Sequence, residues 1–175
     1  IQGVYVPSLY SVTYHDDGTI KEMIPHATAP QTVRKRLELD MDKAYFPEKF
    51  VVPSIEIVHD RAVAEVQRGC IRGCRFCQAG FIYRPVREKS IDMINRQCRS
   101  ICEYTGYDEI SLSSLSTSDY SQIEDLLDTL LSWTDNEKVS VSLPSLRVDG
   151  FSNELMDKLK TVRRSGLTFA PDMEL

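Results

Sequence analysis

No part of this sequence stays apolar for long. The longest apolar runs fall well short of the roughly 18–20 residues a membrane-spanning helix needs, so no segment reads as a bilayer span. An excess of basic charge is missing too. Lys and Arg number 21 against 26 Asp and Glu, a formal net charge of -5, which argues against a general nucleic-acid-binding surface although a local basic patch is compatible with it. No charged-then-apolar leader precedes Gly3, so secretion is not expected. Nor is there an even set of cysteines. Five, with three crowded into one loop, make a poor disulfide framework and a good metal loop, and the expected compartment is the reducing cytoplasm.

What remains is the composition of a folded domain. Apolar residues make up 42% and charged residues 27% of 175, enough for one soluble globular unit with a real core. The chain opens on Ile1 and stops at Leu175, just beyond a strand-like segment, and is expected to be a piece of a longer protein.

The chain is organised around Arg68-Gly-Cys-Ile-Arg-Gly-Cys-Arg-Phe-Cys-Gln-Ala-Gly80, which spaces Cys70, Cys74 and Cys77 as C-x3-C-x2-C directly after the strand-like run Ala62 to Val66. Three thiolates so close in sequence can face one point only if the backbone curls tightly. Gly69 and Gly73 are expected to permit that curl, since glycine accepts positive φ. N–H groups turned inward by such a curl form a nest that stabilises anionic sulfur. A structural zinc site is closed by four ligands, and a cluster ordinarily takes four cysteines. No fourth cysteine lies in the loop, and three protein ligands leave a position open, as a catalytic centre requires. His59, before the first strand, would have to fold back over that strand to serve as the fourth. Cys98 and Cys102 share a helical face that is also apolar, so core packing is the favoured account of both.

Along the chain, Asp17-Gly18 between two β-prone runs predicts a hairpin. The segment from Ile24 to Pro53, punctuated by Pro25, Pro30, Pro47 and Pro53, reads as a linker lying along a domain, with Tyr45, Phe46 and Phe50 buried. Arg34-Lys35-Arg36 reads as a solvated basic run. A βα series then begins with strand 62–66, followed by a helix near Ser90 to Glu103 bearing Ile91, Ile94, Cys98, Ile101 and Cys102 on one face. A strand at Glu109 to Ser113 precedes a helix started by the capping box Ser121-Gln-Ile-Glu124, with Ile123, Leu126, Leu127, Leu130 and Leu131 as its buried stripe. A strand at Val139 to Leu143 leads to a helix carrying Leu155, Met156, Leu159 and Val162, closed by Arg163, Arg164 and Gly166. A fourth strand spans Leu167 to Ala170. Strand and helix recur about every thirty residues, the length of a βαβ unit, which predicts an α/β fold with a parallel sheet, open or closed into a barrel. In such folds the site lies at the C-terminal ends of the strands, and the cysteine loop follows the first of them.

C-x3-C-x2-C with an aromatic, Phe76, before the last cysteine resembles the signature of the radical S-adenosylmethionine (SAM) enzymes. The longer string RGCIRGCRFCQAGFIYRPVREKS is similar to a bacterial subgroup in which this domain follows a cobalamin-binding-like domain. The resemblance implies a parallel (β/α) partial TIM-like barrel truncated after about the fourth strand. Residues 56–175 would be its N-terminal part, and 1–55 a linker or edge segment with a hairpin. It also implies a [4Fe-4S] cluster on Cys70, Cys74 and Cys77, SAM bound at the open iron, and a reducing partner such as flavodoxin or ferredoxin.

By the same resemblance Ser114, Ser116 and Thr117, in the hydroxyl-rich run after the second strand, would contact SAM. That run replaces the family's Gly-Gly-Glu and is similar to versions in tRNA and ribosomal-protein methylthiotransferases; a helix-capping loop is the competing account. Arg147, after the third strand, would pair with the SAM carboxylate in a two-point fork, with a surface salt bridge as the alternative. Phe76 would flank adenine, or else anchor its loop. Asp172-Met-Glu-Leu departs from the subgroup's pattern, so no role passes to Asp172. Arg68, Arg72, Arg75, Arg84 and Arg87 surround the loop, and solvation is the expectation for Arg84 and Arg87. Cobalamin would enter only through a neighbouring domain, because Thr13 stands where the D-x-H-x-x-G motif needs aspartate and a turn explains His15 to Gly18. The implied activity is reductive cleavage of SAM, with methyl transfer or methylthiolation as alternatives on an unidentified substrate. A non-enzymatic structural or sensory Fe–S or zinc protein is the alternative of another class.

Overall fold

Asp17 and Gly18 reverse the chain as their chemistry predicts. The computed structural model describes residues 1–147 apart from 27, 48 and 56, together with the backbone of Phe169–Ala170. Strand β1 (Tyr10–Tyr14) pairs antiparallel with β2 (Ile20–Pro25), Tyr10 opposite Pro25, with an irregularity at Thr13/Tyr14. Asp17 Oδ1 accepts from the Thr19 N–H (2.9 Å) and the Thr19 hydroxyl (2.7 Å), and Gly18 supplies the left-handed residue at φ +83°. The hairpin belongs to a compact unit, Ile1–Leu39; Asp40–Leu175 form a second.

The second unit carries the βα series. Its first strands are β3 (Ala62–Glu65) and the two-residue β4 (Gln67–Arg68). A single-turn helix α1 (Ala79–Ile82) and the short β5 (Arg87–Glu88) follow, and then α2 (Ile91–Thr105). Next come β6 (Glu109–Ser113), α3 (Ile123–Glu137), β7 (Ser140–Ser142), β8 (Leu146–Arg147) and β9 (Phe169–Ala170). Strands β3, β6 and β7 form a parallel sheet in that order, with Ala62 opposite Ile110 and Glu109 opposite Ser140, and β8 pairs in parallel with β9. The expected mixed α/β fold with a parallel sheet is therefore observed.

Alternation along β3 sends Ala62 and Ala64 into the core and leaves Val63 about half exposed on the opposite face. Helix α2 packs on β3, α3 on β7, and the two helices on each other. The core joins Ile94, Cys98 and Ile101 of α2, Ile110 and Leu112 of β6, and Leu126, Leu127 and Leu130 of α3. Each fully buried Leu or Ile contributes roughly 1.5–3 kcal/mol by removal from water, an upper bound for a compact unfolded state. Trp133 adds a polar tie, its Nε1–H donating to Asn95 Oδ1 at 2.8 Å. None of the described helices is long and apolar enough to cross a membrane.

Two helix starts differ. Ser90 caps α2, its Oγ accepting from the Met93 N–H at 3.2 Å, and Gly106 at φ +75° ends it. The capping box expected at Ser121 is absent. Helix α3 begins at Ile123 with no side-chain cap at Gln122. Ser121 instead gives both its N–H (2.9 Å) and its hydroxyl to the carboxylate of Glu88. A charged acceptor makes stronger hydrogen bonds than a neutral local one, so the serine turns outward and binds β5 to the start of α3. Phe46 and Phe50 meet each other edge to face and pack, partly buried, against the core, whereas Tyr45, also expected to be buried, is 91% exposed. The backbone is extended at Ala44, and neighbouring residues of extended chain point in opposite directions. The helix expected around Leu155 to Val162, its closing residues Arg163, Arg164 and Gly166, and Asp172 lie outside the described residues.

Candidate functional site

Backbone pairing closes the cysteine loop at its base. The Val66 N–H donates to Ser113 O (3.0 Å), and the Lys89 N–H donates to Val66 O (2.9 Å). β4 then pairs antiparallel with β5, Gln67 opposite Glu88 and Arg68 opposite Arg87. Residues 69–86 are thereby tied off as one loop at the C-terminal end of β3. Gly69 takes φ +93°, and a Cβ there would stand 2.7 Å from Tyr83 O and 2.8 Å from Pro85 O, so only glycine fits the neck. Gly73, expected to share this task, has no positive φ and open space around it.

Inside the loop, the Cys77 N–H donates to Cys74 O at 3.0 Å and the Arg72 N–H to Cys70 Sγ at 3.4 Å. Gly80 lies under the turn, where a Cβ would come within 3.3 Å of Arg72 O. Arg84 is exposed and Arg87 half-buried, and both also brace the loop. Arg84 Nη2 donates to Arg72 O (2.9 Å) and Ile71 O (3.3 Å), and Arg87 donates to Pro85 O (3.1 Å) and Tyr83 O (3.4 Å). Carbonyls turned outward by the tight curl need donors, and guanidinium forks reach several at once. Arg68 is spent on Glu65, with two contacts of 2.8 Å, and Arg75 is exposed.

Cys70, Cys74 and Cys77 are of intermediate burial and form no disulfide. Among the described residues no three His, Cys, Asp or Glu side chains converge on one metal position. The loop therefore gathers its thiols on one short turn without closing them round a centre. The donor set nonetheless suits an iron–sulfur cluster: three unbridged thiols on one tied-off loop, with a backbone N–H already directed at one sulfur.

The end of β6 meets this loop. Ser114 Oγ and Thr117 Oγ1 lie 3.0 Å apart, the Ser116 N–H donates to Ser114 Oγ (3.1 Å), and the Ser116 hydroxyl donates to Asp119 Oδ2 (2.8 Å). Ser116 and Thr117 are buried, so these hydroxyls are engaged locally. Asp119 joins the two segments. Its carboxylate receives the Arg72 fork at 2.9 Å from Nε and 2.5 Å from Nη2. Hydrogen bonding from Arg72, then from Ser116, with the nearby charges of Arg72 and Arg147, holds the Asp119 carboxyl below the usual carboxylate range despite its burial. Arg147 is itself buried, its backbone N–H donating to Ser118 Oγ at 3.3 Å. Gln67 reaches the same seam through Nε2, 2.6 Å from Ser116 O, while its buried Oε1 has no hydrogen-bond partner among the described residues.

The cysteine loop, the 114–119 turn and Arg147 are thus neighbours, although Asp119 and Gln67, which join them, carried no sequence signal beyond their polarity. Phe76 is 73% exposed on the loop, which rules out an anchoring role. His59 sits before the opposite end of β3, its Nδ1 2.7 Å from Arg61 Nη2. Cys98 is fully buried in the core, as its apolar helical face implies, and burial pushes its thiol up to about 12; burial likewise raises Cys102 to about 11. Because the thiolate is the reactive form, a maleimide at neutral pH is expected to label the three loop cysteines of the metal-free protein readily and to spare Cys98 until unfolding. Mass spectrometry of the labelled peptides reads this directly, and labelling of folded Cys98 at the loop rate would contradict the packing described.

The sequence pattern of the radical SAM superfamily matches residues 64–172. The chain is also 31% identical over 147 residues to a protein of Methanocaldococcus jannaschii described as uncharacterized, covering 79% of this chain and 32% of that protein. It therefore spans about a third of that relative's length.

Proposed function

The chain belongs to the radical SAM superfamily, and on that premise we propose that Cys70, Cys74 and Cys77 hold a [4Fe-4S] cluster for reductive cleavage of SAM. The observation that carries this reading is the tied-off loop at the C-terminal end of β3, with three unbridged thiols and the Arg72 N–H on Cys70 Sγ. When bound, such a cluster supplies the electron that splits the sulfonium carbon–sulfur bond of SAM, giving methionine and a 5′-deoxyadenosyl radical that abstracts hydrogen from a substrate. The chain's own residues bind, orient and exclude water. The Arg72 N–H stabilises the Cys70 thiolate. Arg147 supplies a buried positive charge suited to a carboxylate, and Phe76 offers an exposed ring to a purine. Ser114 is the partly exposed hydroxyl of the neighbouring turn, whose Ser116 and Thr117 are buried and would shape it rather than touch SAM as they stand. The parallel sheet is part of a (β/α) barrel on this reading, and the electron comes from a small reducing protein of the flavodoxin or ferredoxin kind.

Anaerobic reconstitution with iron and sulfide is expected to load about four irons per chain. SAM should then alter the electron paramagnetic resonance spectrum of the dithionite-reduced protein, and 5′-deoxyadenosine should form. A single metal held tightly in air, with no spectral response to SAM, would establish the structural or sensory alternative instead.

A further inference from the structure

We propose that Asp119 is a positioning residue for the cysteine loop, fixing through Arg72 the segment between Cys70 and Cys74 and the N–H directed at the Cys70 sulfur. The inference deepens the proposed function and rests on it. The loop is anchored at its neck by the β4–β5 ribbon, and Arg84 and Arg87 brace it from within. In none of their described hydrogen bonds does either of these join the segment between the first two cysteines to the sheet. The Arg72–Asp119 fork does, across 47 residues of sequence, and it is bidentate and charge-assisted. The Asp119 side chain is 7% exposed, so solvent screens the pair less than it would a surface bridge.

Asp119 is held in turn. The Ser116 hydroxyl donates to the same oxygen that receives Arg72 Nε, and Gln67, at the loop's neck, donates to Ser116 O. Asp119 makes none of its described hydrogen bonds to the helical layer. Its partners are the loop and the strand-end turn, so its loss should move the cysteines before it moves the fold. Arg72 is both the fork and the residue whose backbone N–H lies 3.4 Å from Cys70 Sγ. Release of the side chain frees that N–H, and hydrogen bonds to ligand sulfur are among the features that set a cluster's potential.

Two readouts separate this inference from the function it rests on. In the metal-free protein, Asp119→Asn is expected to speed maleimide labelling of Cys70 and Cys74 by on the order of 10-fold, with an unchanged rate at Cys98. In the reconstituted protein it is expected to speed iron loss to a chelator by roughly 10–100-fold, the range usual for partners that orient metal ligands, and to shift the midpoint potential in a redox titration. A merely structural role would lower the unfolding temperature and leave the potential of the retained cluster in place. Arg72→Lys, which keeps the charge and loses the fork, should act in the same direction. The double variant should be no worse than the more severe single one, since both remove one link. If Asp119→Asn fails to fold, Arg72→Lys decides alone from the more exposed side of the pair. Parental labelling and iron-loss rates in the folded variants, or additive effects in the double variant, would overturn the proposal. If the parent takes up no cluster, the proposed function falls, and with it the proposal's account of the cluster, whatever the labelling rates show of the clamp.

Discussion

Alanine at position 74 is expected to leave the protein folded and to remove its cluster. Cys74 is of intermediate burial, and its backbone carbonyl accepts from the Cys77 N–H at 3.0 Å. Alanine keeps that carbonyl and deletes only the sulfur. With three cysteines in the loop and no fourth near it, a deleted thiolate has no substitute: His59 bonds Arg61 before the far end of β3, and Cys98 is sealed in the core. Iron uptake and 5′-deoxyadenosine formation should therefore fall by more than the roughly 10–100-fold typical of partners outside the ligand set. The control is Cys98→Ala. Its effect should be confined to packing, a loss on the order of 1 kcal/mol for deleting a small buried group, with iron content unchanged. Iron and sulfide analysis, denaturant unfolding and chromatography of the nucleoside product read all of these. Cys74→Ala cleaving SAM as well as the parent would sink the reading of the loop.

The contrast between those two cysteines shows what a sequence of this kind discloses. Cys98 was legible as core because its neighbours Ile94 and Ile101 repeat with the helical period, and Glu109–Ser113 was legible as a strand because the βα rhythm brackets it. Local chemistry also placed the Asp17–Gly18 turn. Some readings failed because a distant group outcompetes a near one. Ser121 and Glu124 have the spacing of a capping box, yet Glu88, 33 residues upstream of Ser121, takes both donors of the serine. Arg84 stays exposed as expected, yet it also reaches the carbonyls of Ile71 and Arg72, 13 and 12 residues upstream, once the loop folds back. Asp119 sits in a hydroxyl-rich run that suits a cap, and only the fold shows that its partner is Arg72. Spacing within one segment finds the thiols; what holds them in place comes from elsewhere in the chain.

The neck of the loop allows the sharpest test of that division. Gly69→Ala is expected to cost on the order of 3–5 kcal/mol, from two sources that act together. A non-glycine residue at φ +93° is strained by roughly 1–3 kcal/mol. The added Cβ would also stand 2.7 and 2.8 Å from two carbonyl oxygens and 3.1 Å from Val86 Cα. All three are backbone atoms, so no side chain can rotate away. The segment 83–86 that leads into β5 would have to retreat, which breaks the β4–β5 pairing at about 1 kcal/mol for each hydrogen bond lost. Gly73→Ala, four residues on, meets nothing within 4 Å and needs no positive φ; it should fall within about 0.5 kcal/mol of the parent. Because the ribbon closes the loop and lies outside the buried core, the loss at Gly69 should appear first as opening of the neck. Cys70 and Cys77 should become equally accessible to maleimide, iron uptake should fail, and the denaturant midpoint should drop. If Gly69→Ala unfolds and binds iron like the parent, then the glycine neck is not what closes the loop, and the arginine braces and the Asp119 link must hold it without the ribbon.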